Sequence, residues 1–431
     1  MEKVIAKELL DFLYDSPTAF HAVENISEIL MNQGFKELKE EDKWKLKKEG
    51  KYFVKKNDSA LIAFVVGEDT PQEKGFKIIG AHTDSPGFRI KPRPEMIAEN
   101  VYLKLNTEVY GGPILATWFD RPLALAGRVT LKSDNPLYPK MEFLNINRPI
   151  LIIPSLAIHM NRNVNQGVEI NKQKDVLPLM TMINDSLEKD NLLLQVISEE
   201  LNVSKEEIID FDLFPYEFEK GSLIGLKEEF ISSARLDDLS MVHAGLKALT
   251  EVKSSKGTNI LACFDNEEVG SSTKQGADSE LLASVLERIV IALKGDREDY
   301  LRSLAKSFII SADLAHAVHP NYGEKHDPQL RPVINGGPVI KIAASQSYTT
   351  DAESSAVYEM ICKKAGVPYQ KFANRSDSRG GSTIGPINST HLNIRSVDMG
   401  NPVLGMHSIR ELGGVKDHYY CIKSFEEFYK L

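Results

Sequence analysis

The sequence predicts an α/β fold in which a mixed, mainly parallel sheet is sandwiched by helices and interrupted by an inserted, mostly β domain. Three observations carry this expectation. After residue 231, apolar β-branched runs alternate with segments of helical periodicity, the pattern of strands joined by crossover helices. Before residue 90, FKIIGAH (76–82) reads as one more buried strand of the same sheet. From 91 to 230 the texture changes to short strands broken by Pro and Gly, as in VYLKLNTEVYGG and LALAGRVTLKSD, with one acidic helical patch at LLLQVISEELNVSKEE. The expected domains are 1–90 with 231–431, built from two chain segments, and the insert 91–230.

Taken in order, Ser16-Pro17 offers a helix cap and first turn, and Phe20, Val23, Ile26 and Leu30 follow at helical steps until Gly34. GKYFVKKNDSALIAFVVG places two strand-like runs around the turn formers Asn57-Asp58, a hairpin signature. After the insert come a helix over 237–249, strand NILACF, a helix at LLASVLERIVIALKG, strands SFIISAD and PVIKIA, a helix at AESSAVYEMICKKAG, and strand PVLGMHS.

Composition narrows the function. A chain of 431 residues with 42% hydrophobic and 26% charged residues belongs with globular proteins and has room for two or three cores. The net charge of −9 argues against nucleic-acid binding, which needs a basic surface. No segment has the ~20 apolar residues of a membrane span, and MEKVIAKELLDFLYDS lacks the uninterrupted apolar stretch of a secretory signal. Cys263, Cys362 and Cys421 are scattered and odd in number, which fits a reducing compartment. The expected location is the cytoplasm.

In open α/β sheets, ligands bind beyond the carboxyl ends of the strands. FKIIGAHTD ends in His82 and Asp84, NILACFDNEE in Glu267 and Glu268, SFIISAD in Asp313, and PVLGMH in His407, while SSARLDDLS brings Asp237 and Asp238 to a helix start. Singly, each has an ordinary alternative: Asp caps helices well, and loop carboxylates are commonly solvated. Together they form a thiolate-free set suited to Zn²⁺, Mn²⁺ or Co²⁺. Five ligands with one bridging carboxylate suffice for two ions, leaving a sixth carboxylate as a base. Because successive residues of an extended chain point opposite ways, Glu267 and Glu268 can share one site only if the backbone bends there. SRGGSTIGP (378–386) lacks the Lys-Ser/Thr pair of a phosphate loop, and neither GxSxG nor HExxH occurs.

The strings GAHTDSPGFRIKP, TWFDRPL, SLAIHMNRNVN, SARLDDL, FDNEEVGSS, SADLAHAVHPNY, GGPVIKI, GSTIGPI and GMHSIRE occur in that order between residues 80 and 411. In this they resemble the aspartyl aminopeptidase family of dinuclear zinc exopeptidases. The resemblance implies a zinc-exopeptidase-like catalytic domain that holds two divalent ions per chain. His82 and Glu268 would complete one site, Asp313 and His407 the other, with Asp237 bridging, Glu267 as general base and Asp84 orienting His82. It also implies substrate contacts from His159, His316, Lys341 and Tyr348, with Lys341 facing an acidic first side chain and His159 acting on a neighbouring subunit. One departure is Asp238, which stands where many members carry Asn, adding a charge near the metals.

The activity so implied is removal of an N-terminal Asp or Glu from short peptides with a free amine, by a homododecamer built from dimers. Two alternatives stay open. One is a broad-specificity aminopeptidase or related dinuclear amidohydrolase. The other is an inert assembly or cargo protein that keeps the fold without the chemistry.

Overall fold

Phe76–His82 is buried along its whole length, and its side chains divide between two cores. Phe76 and Ile78 join one, Ile79 and Ala81 the other. A strand covered on both faces lies inside a sheet with helices on each side, and this is what the computed structural model, which describes residues 1–183, 191–252 and 255–431, contains. Among the described residues the main sheet has nine strands, in the order Lys36–Leu38, Lys51–Lys56, Ala60–Val65, Thr258–Phe264, Phe76–His82, Phe308–Ala312, Arg395–Gly400, Val339–Lys341 and Gln370–Phe372. The three central pairings are parallel, with Phe264 opposite His82 and Ser311 opposite Gly80.

Helices Glu2–Asp15, Ala19–Asn32, Leu236–Glu251, Ala352–Ala365 and Val415–Lys430 supply Leu9, Ile26, Leu239, Tyr358 and Phe425 to the core on one face. Leu281–Ala292, Arg297–Ala305 and Ile384–Leu392 supply Leu286, Tyr300 and Ile384 to the other. Fully burying each such side chain stabilises the fold by about 1.5–3 kcal/mol. Local signals agree with this packing. Asp351 caps Ala352–Ala365 by accepting from the Ser354 N–H, and Gly366 at φ 69° ends that helix. Gly245 lets Leu236–Glu251 lie close on the sheet, since a Cβ there would come within 2.6 Å of Leu261 Cδ1. Asn57 and Asp58 both adopt positive φ between antiparallel Lys51–Lys56 and Ala60–Val65, as the hairpin reading requires.

Two local expectations are corrected. The cap of the second helix is Thr18, not Ser16: the helix spans Ala19–Asn32, and the Thr18 side chain accepts from the His21 N–H. PVLGMHS contributes only Pro402–Val403, paired with Ala315–His316 outside the main sheet, whereas the sheet strand at this point is the preceding Arg395–Gly400. The buried Asp398 in the middle of RSVDMG breaks the apolar pattern that would have announced that strand.

The nine-stranded sheet belongs to a unit of residues 1–84, 221–406 and 411–431, and residues 85–220 with 407–410 form a second unit. The second unit contains two three-stranded sheets among its described residues, one of Gly87–Ala98, Tyr102–Tyr110 and Leu179–Met182, the other with Leu123–Leu131 between Ile208–Glu217 and Lys140–Leu151. Its core includes Phe88, Leu125, Leu193 and Trp118, whose ring meets Phe88 edge-on at 4.8 Å. Nearly all of residues 154–169 is exposed. Among the described residues, no helix is long and apolar enough to cross a membrane.

Candidate metal centre

The parallel register brings three strand ends to one edge: His82 closes its strand opposite Phe264, after which Asp265–Glu268 follow, and Asp313 follows Ala312. Asp313 is drawn in further. Its N–H donates to Met399 O at 3.0 Å, and Gly400 makes room for its backbone, since a Cβ there would lie 1.8 Å from Asp313 O.

His82 is 1% exposed and held on every side. Its N–H donates to Asp238 Oδ2 at 3.0 Å; its Nδ1 lies 3.1 Å from the Asp84 carbonyl and 3.3 Å from Asp84 Oδ1; its Nε2 lies 3.4 Å from Asp237 Oδ1. With Nδ1 engaged by Asp84, Nε2 is the nitrogen that faces the carboxylates. Burial by itself lowers the His82 pKa, but Asp238, Asp237, Asp84 and Glu267 together raise it well above the ordinary value. An environment that so favours a proton on this ring favours a cation beside it.

Asp237 and Asp238 sit at the start of Leu236–Glu251, joined by a cis peptide bond, and the Asp237 N–H donates to the buried Glu411 Oε2 at 3.0 Å. One ligand atom from each of His82, Asp237, Asp238 and Asp313 lies within 4.8 Å of the others. Asp238 Oδ1 is buried without a hydrogen-bond partner. Burial raises the pKa of both Asp238 and Asp313, as does repulsion from neighbouring carboxylates, against the pull of His82 on Asp238 and of Lys341 on Asp313. Crowded buried carboxylates around one imidazole, with no thiolate, are the donor set of a divalent cation, so the residues present fit zinc.

The paired glutamates reach this edge through the expected bend. Asn266 takes a left-handed conformation (φ 62°, ψ 25°), Glu267–Val269 forms a single 3₁₀ turn, and Gly270 follows at φ 97°. Both glutamate N–H groups donate to Asp84, Glu267 to Oδ1 and Glu268 to Oδ2, each at 3.1 Å. Asp84 therefore grips the His82 ring and the glutamate turn with one carboxylate. Ligand atoms of His82, Glu267 and Glu268 also lie within 4.8 Å of one another. Burial, then repulsion from Asp313, Asp84 and Asp237, pushes the Glu267 carboxyl up to about 7, opposed by His82.

Lys341 ends its strand buried, 2% exposed, with Nζ donating to Leu314 O at 3.1 Å and 3.4 Å from Asp313 Oδ2. Burial lowers its pKa, yet the Asp313 carboxylate, with Tyr348, Asp398 and Asp237, raises it above the ordinary value. Its ammonium lies 5.2 Å from the centre of the buried Tyr348 ring. His316 is exposed, its ring 6.0 Å from Phe372, which packs with Ala315, Val339 and Tyr348. His159 and His407 belong to the second unit. His159 lies in the exposed 154–169 stretch. His407 directly follows Met406, has φ 67°, and sets its Nδ1 3.0 Å from the Gly112 carbonyl oxygen.

Several residues around the site carried no signal in the sequence. Asp398 is fully buried and accepts from the Thr349 N–H at 2.5 Å and the Thr383 hydroxyl at 2.6 Å, tying the Tyr348 loop to the Gly-rich 378–386 loop. Glu411 accepts from the Asp237 N–H, and the Asn266 amide oxygen accepts from Thr273 and Gln275. Each bonds to a partner distant along the chain or to loop atoms, which no periodic pattern reveals.

The profile of the aminopeptidase I zinc metalloprotease (M18) family matches residues 12–429. A probable M18 family aminopeptidase 2 of Clostridium novyi (strain NT) is 67% identical over 426 residues, covering 99% of this chain and 98% of that protein. The cryo-EM structure of the Ape4 and Nbr1 complex contains a chain that is 38% identical with a TM-score of 0.95, over 99% of this chain and 86% of that one. A chain of the S. cerevisiae mApe1 dodecamer is 29% identical with a TM-score of 0.85, over 99% and 96%.

Proposed function

Since the chain belongs to the M18 family of aminopeptidase I zinc metalloproteases, we propose that this zinc aminopeptidase removes N-terminal Asp or Glu from short peptides at a centre of two divalent ions. The observation that carries the reading is the convergence of His82, Asp237, Asp238 and Asp313 at one sheet edge, beside a glutamate turn held by Asp84. In this reading His82 and Glu268 would hold one ion and Asp313 and His407 the other, with Asp237 available to both. Bound there, the ions, zinc by family and Mn²⁺ or Co²⁺ by ligand chemistry, supply Lewis acidity to the scissile carbonyl and lower the pKa of a water.

The chain's own residues do the rest. Glu267 takes a proton from the attacking water and passes it to the departing amine as the C–N bond breaks, base in the first step and acid in the second. Asp84 fixes which nitrogen of His82 faces the site, as partners of metal-bound imidazoles do. Lys341 meets the acidic side chain of the first residue, and His316 and Tyr348 line its approach. His159, on an exposed stretch, reaches the site of a neighbouring subunit. A homododecamer built from dimers is proposed on the likeness to the mApe1 dodecamer, and the cytoplasm on three free buried cysteines.

A second reading, broad preference at the first residue, is favoured by one observation: the Lys341 ammonium is already engaged by Asp313 and Leu314. A panel of Asp-, Glu-, Leu- and Lys-initiated peptides decides between them. The leading reading expects Asp and Glu to be released fastest, with loss on chelation, recovery with metal and no cleavage of N-acetylated peptides. Equal rates across the panel leave the broad reading, and equal cleavage of blocked peptides overturns both.

A further inference from the structure

We infer that Asn266 is a positioning residue for the reaction: it locks the left-handed turn that makes Glu267 and Glu268 face one site. This rests on the functional reading above. A strand running straight on from Phe264 would send adjacent side chains to opposite faces of the sheet. The chain instead reverses its sense at one residue, Asn266, at φ 62°. Asn tolerates that region better than most L-residues, because its short amide finds local partners there.

Asn266 finds them on both sides of the turn. Upstream, its N–H and its Nδ2 donate to Asp265 Oδ1, at 2.7 and 3.2 Å. Downstream, its Oδ1 accepts from the Thr273 hydroxyl at 2.9 Å and from Gln275 Nε2 at 2.7 Å. Its carbonyl oxygen accepts from the Ser271 N–H at 2.8 Å, closing the turn, and the Asp265 N–H donates to Gln275 O at 3.1 Å. The side chain thus ties the strand end to the returning loop at 271–276. The two N–H groups that follow it are delivered to the two oxygens of Asp84.

The residue type is specific. Gly would take the same backbone conformation at no steric cost but would release the ties to Thr273 and Gln275. Ala would lose the ties and resist the conformation. Asp would keep the acceptor, lose the donor, and set a second carboxylate against Asp265.

The test uses Asn266→Ala, Asn266→Gly and Asn266→Asp in the full-length metal-loaded enzyme, with kcat and KM on a peptide the parent cleaves, metal content per chain and thermal midpoint. Because misplacing reacting groups by an ångström costs about 100-fold, Asn266→Ala is expected to lower kcat by about 30–100-fold with KM within about twofold. Asn266→Gly is expected to recover part of that loss, and Asn266→Asp to recover none. If Asn266→Ala fails to fold, Thr273→Val with Gln275→Leu removes the same ties without touching the turn residue and is expected to lower kcat by about tenfold. Full kcat in Asn266→Ala or in the double variant overturns the inference, as does equal loss in Asn266→Gly and Asn266→Ala. An inactive parent would instead refute the functional reading.

Discussion

Replacing Asp84 by Asn keeps the size of the side chain and removes its charge, so it isolates what the carboxylate does. In the parent, Asp84 Oδ1 and Oδ2 each accept a backbone N–H, from Glu267 and Glu268, at 3.1 Å. The same carboxylate lies 3.3 Å from His82 Nδ1. An Asn amide offers one acceptor, so one of the two N–H groups must face an NH₂ group, donor against donor. A hydrogen bond to a charged group is worth about 1.5–3 kcal/mol; losing one and weakening the other costs about 2–4 kcal/mol at the turn. At 1.36 kcal/mol per tenfold, kcat/KM is expected to fall by about 30- to 1,000-fold. Loss of the partner of the imidazole is expected to weaken metal binding by about 10–100-fold as well. Steady-state kinetics on an Asp-initiated peptide, with metal competition against a chelator of known affinity, measures both. If kcat/KM stays within threefold of the parent and metal affinity is unchanged, Asp84 is not the clamp described here.

Three further perturbations address other parts of the structure. Lys341→Met is expected to collapse the ratio of Asp to Leu release by about tenfold or more, read from paired kcat/KM values, since one charge-assisted contact discriminates by that much; an unchanged ratio would remove Lys341 from specificity. His243 and His418 form a buried pair with Nδ1 and Nε2 2.9 Å apart, and burial, with Lys247 nearby, lowers His418 to about 3 and His243 well below its ordinary value. Their folded-state pKa values are depressed, so the stability tied to their neutrality is complete above about pH 6.5 and is lost as the pH falls below it; His418 alone accounts for about 2 kcal/mol between pH 6.5 and 5. Urea midpoints at both pH values in the parent and in His418→Leu are expected to show a shallower acid loss in the variant, and parallel curves would contradict the assignment. Gly245→Ala is expected to destabilise the fold by about 1–3 kcal/mol by overpacking against Leu261, seen as a lower urea midpoint with unchanged slope.

Much of this centre was legible because strand ends are legible. IIGA (78–81), ILACF (260–264) and FIISA (308–312) are apolar or nearly so, and the polar residues that follow them, His82, Asp265 to Glu268, and Asp313, fall at the sheet edge. The need for a bend at Glu267-Glu268 also followed from strand geometry alone, and Asn266 meets it. Less was legible where a buried polar residue interrupts a strand. Asp398 hid Arg395–Gly400, and the apolar look of PVLGMHS drew the reading a few residues too far along. The grip of Asp84 on two amides 183 and 184 residues away is a tertiary hydrogen bond with no periodic trace.

The proposed division of labour between the two adjacent glutamates, Glu267 as base and Glu268 as metal ligand, is measured directly by exchanging each for Gln. With Glu267→Gln, turnover on an Asp-initiated peptide is expected to vanish while metal content stays at about two ions per chain. With Glu268→Gln, metal content is expected to fall. Loss of metal in Glu267→Gln with retention in Glu268→Gln would reverse the two roles, and full activity in Glu267→Gln would contradict the account.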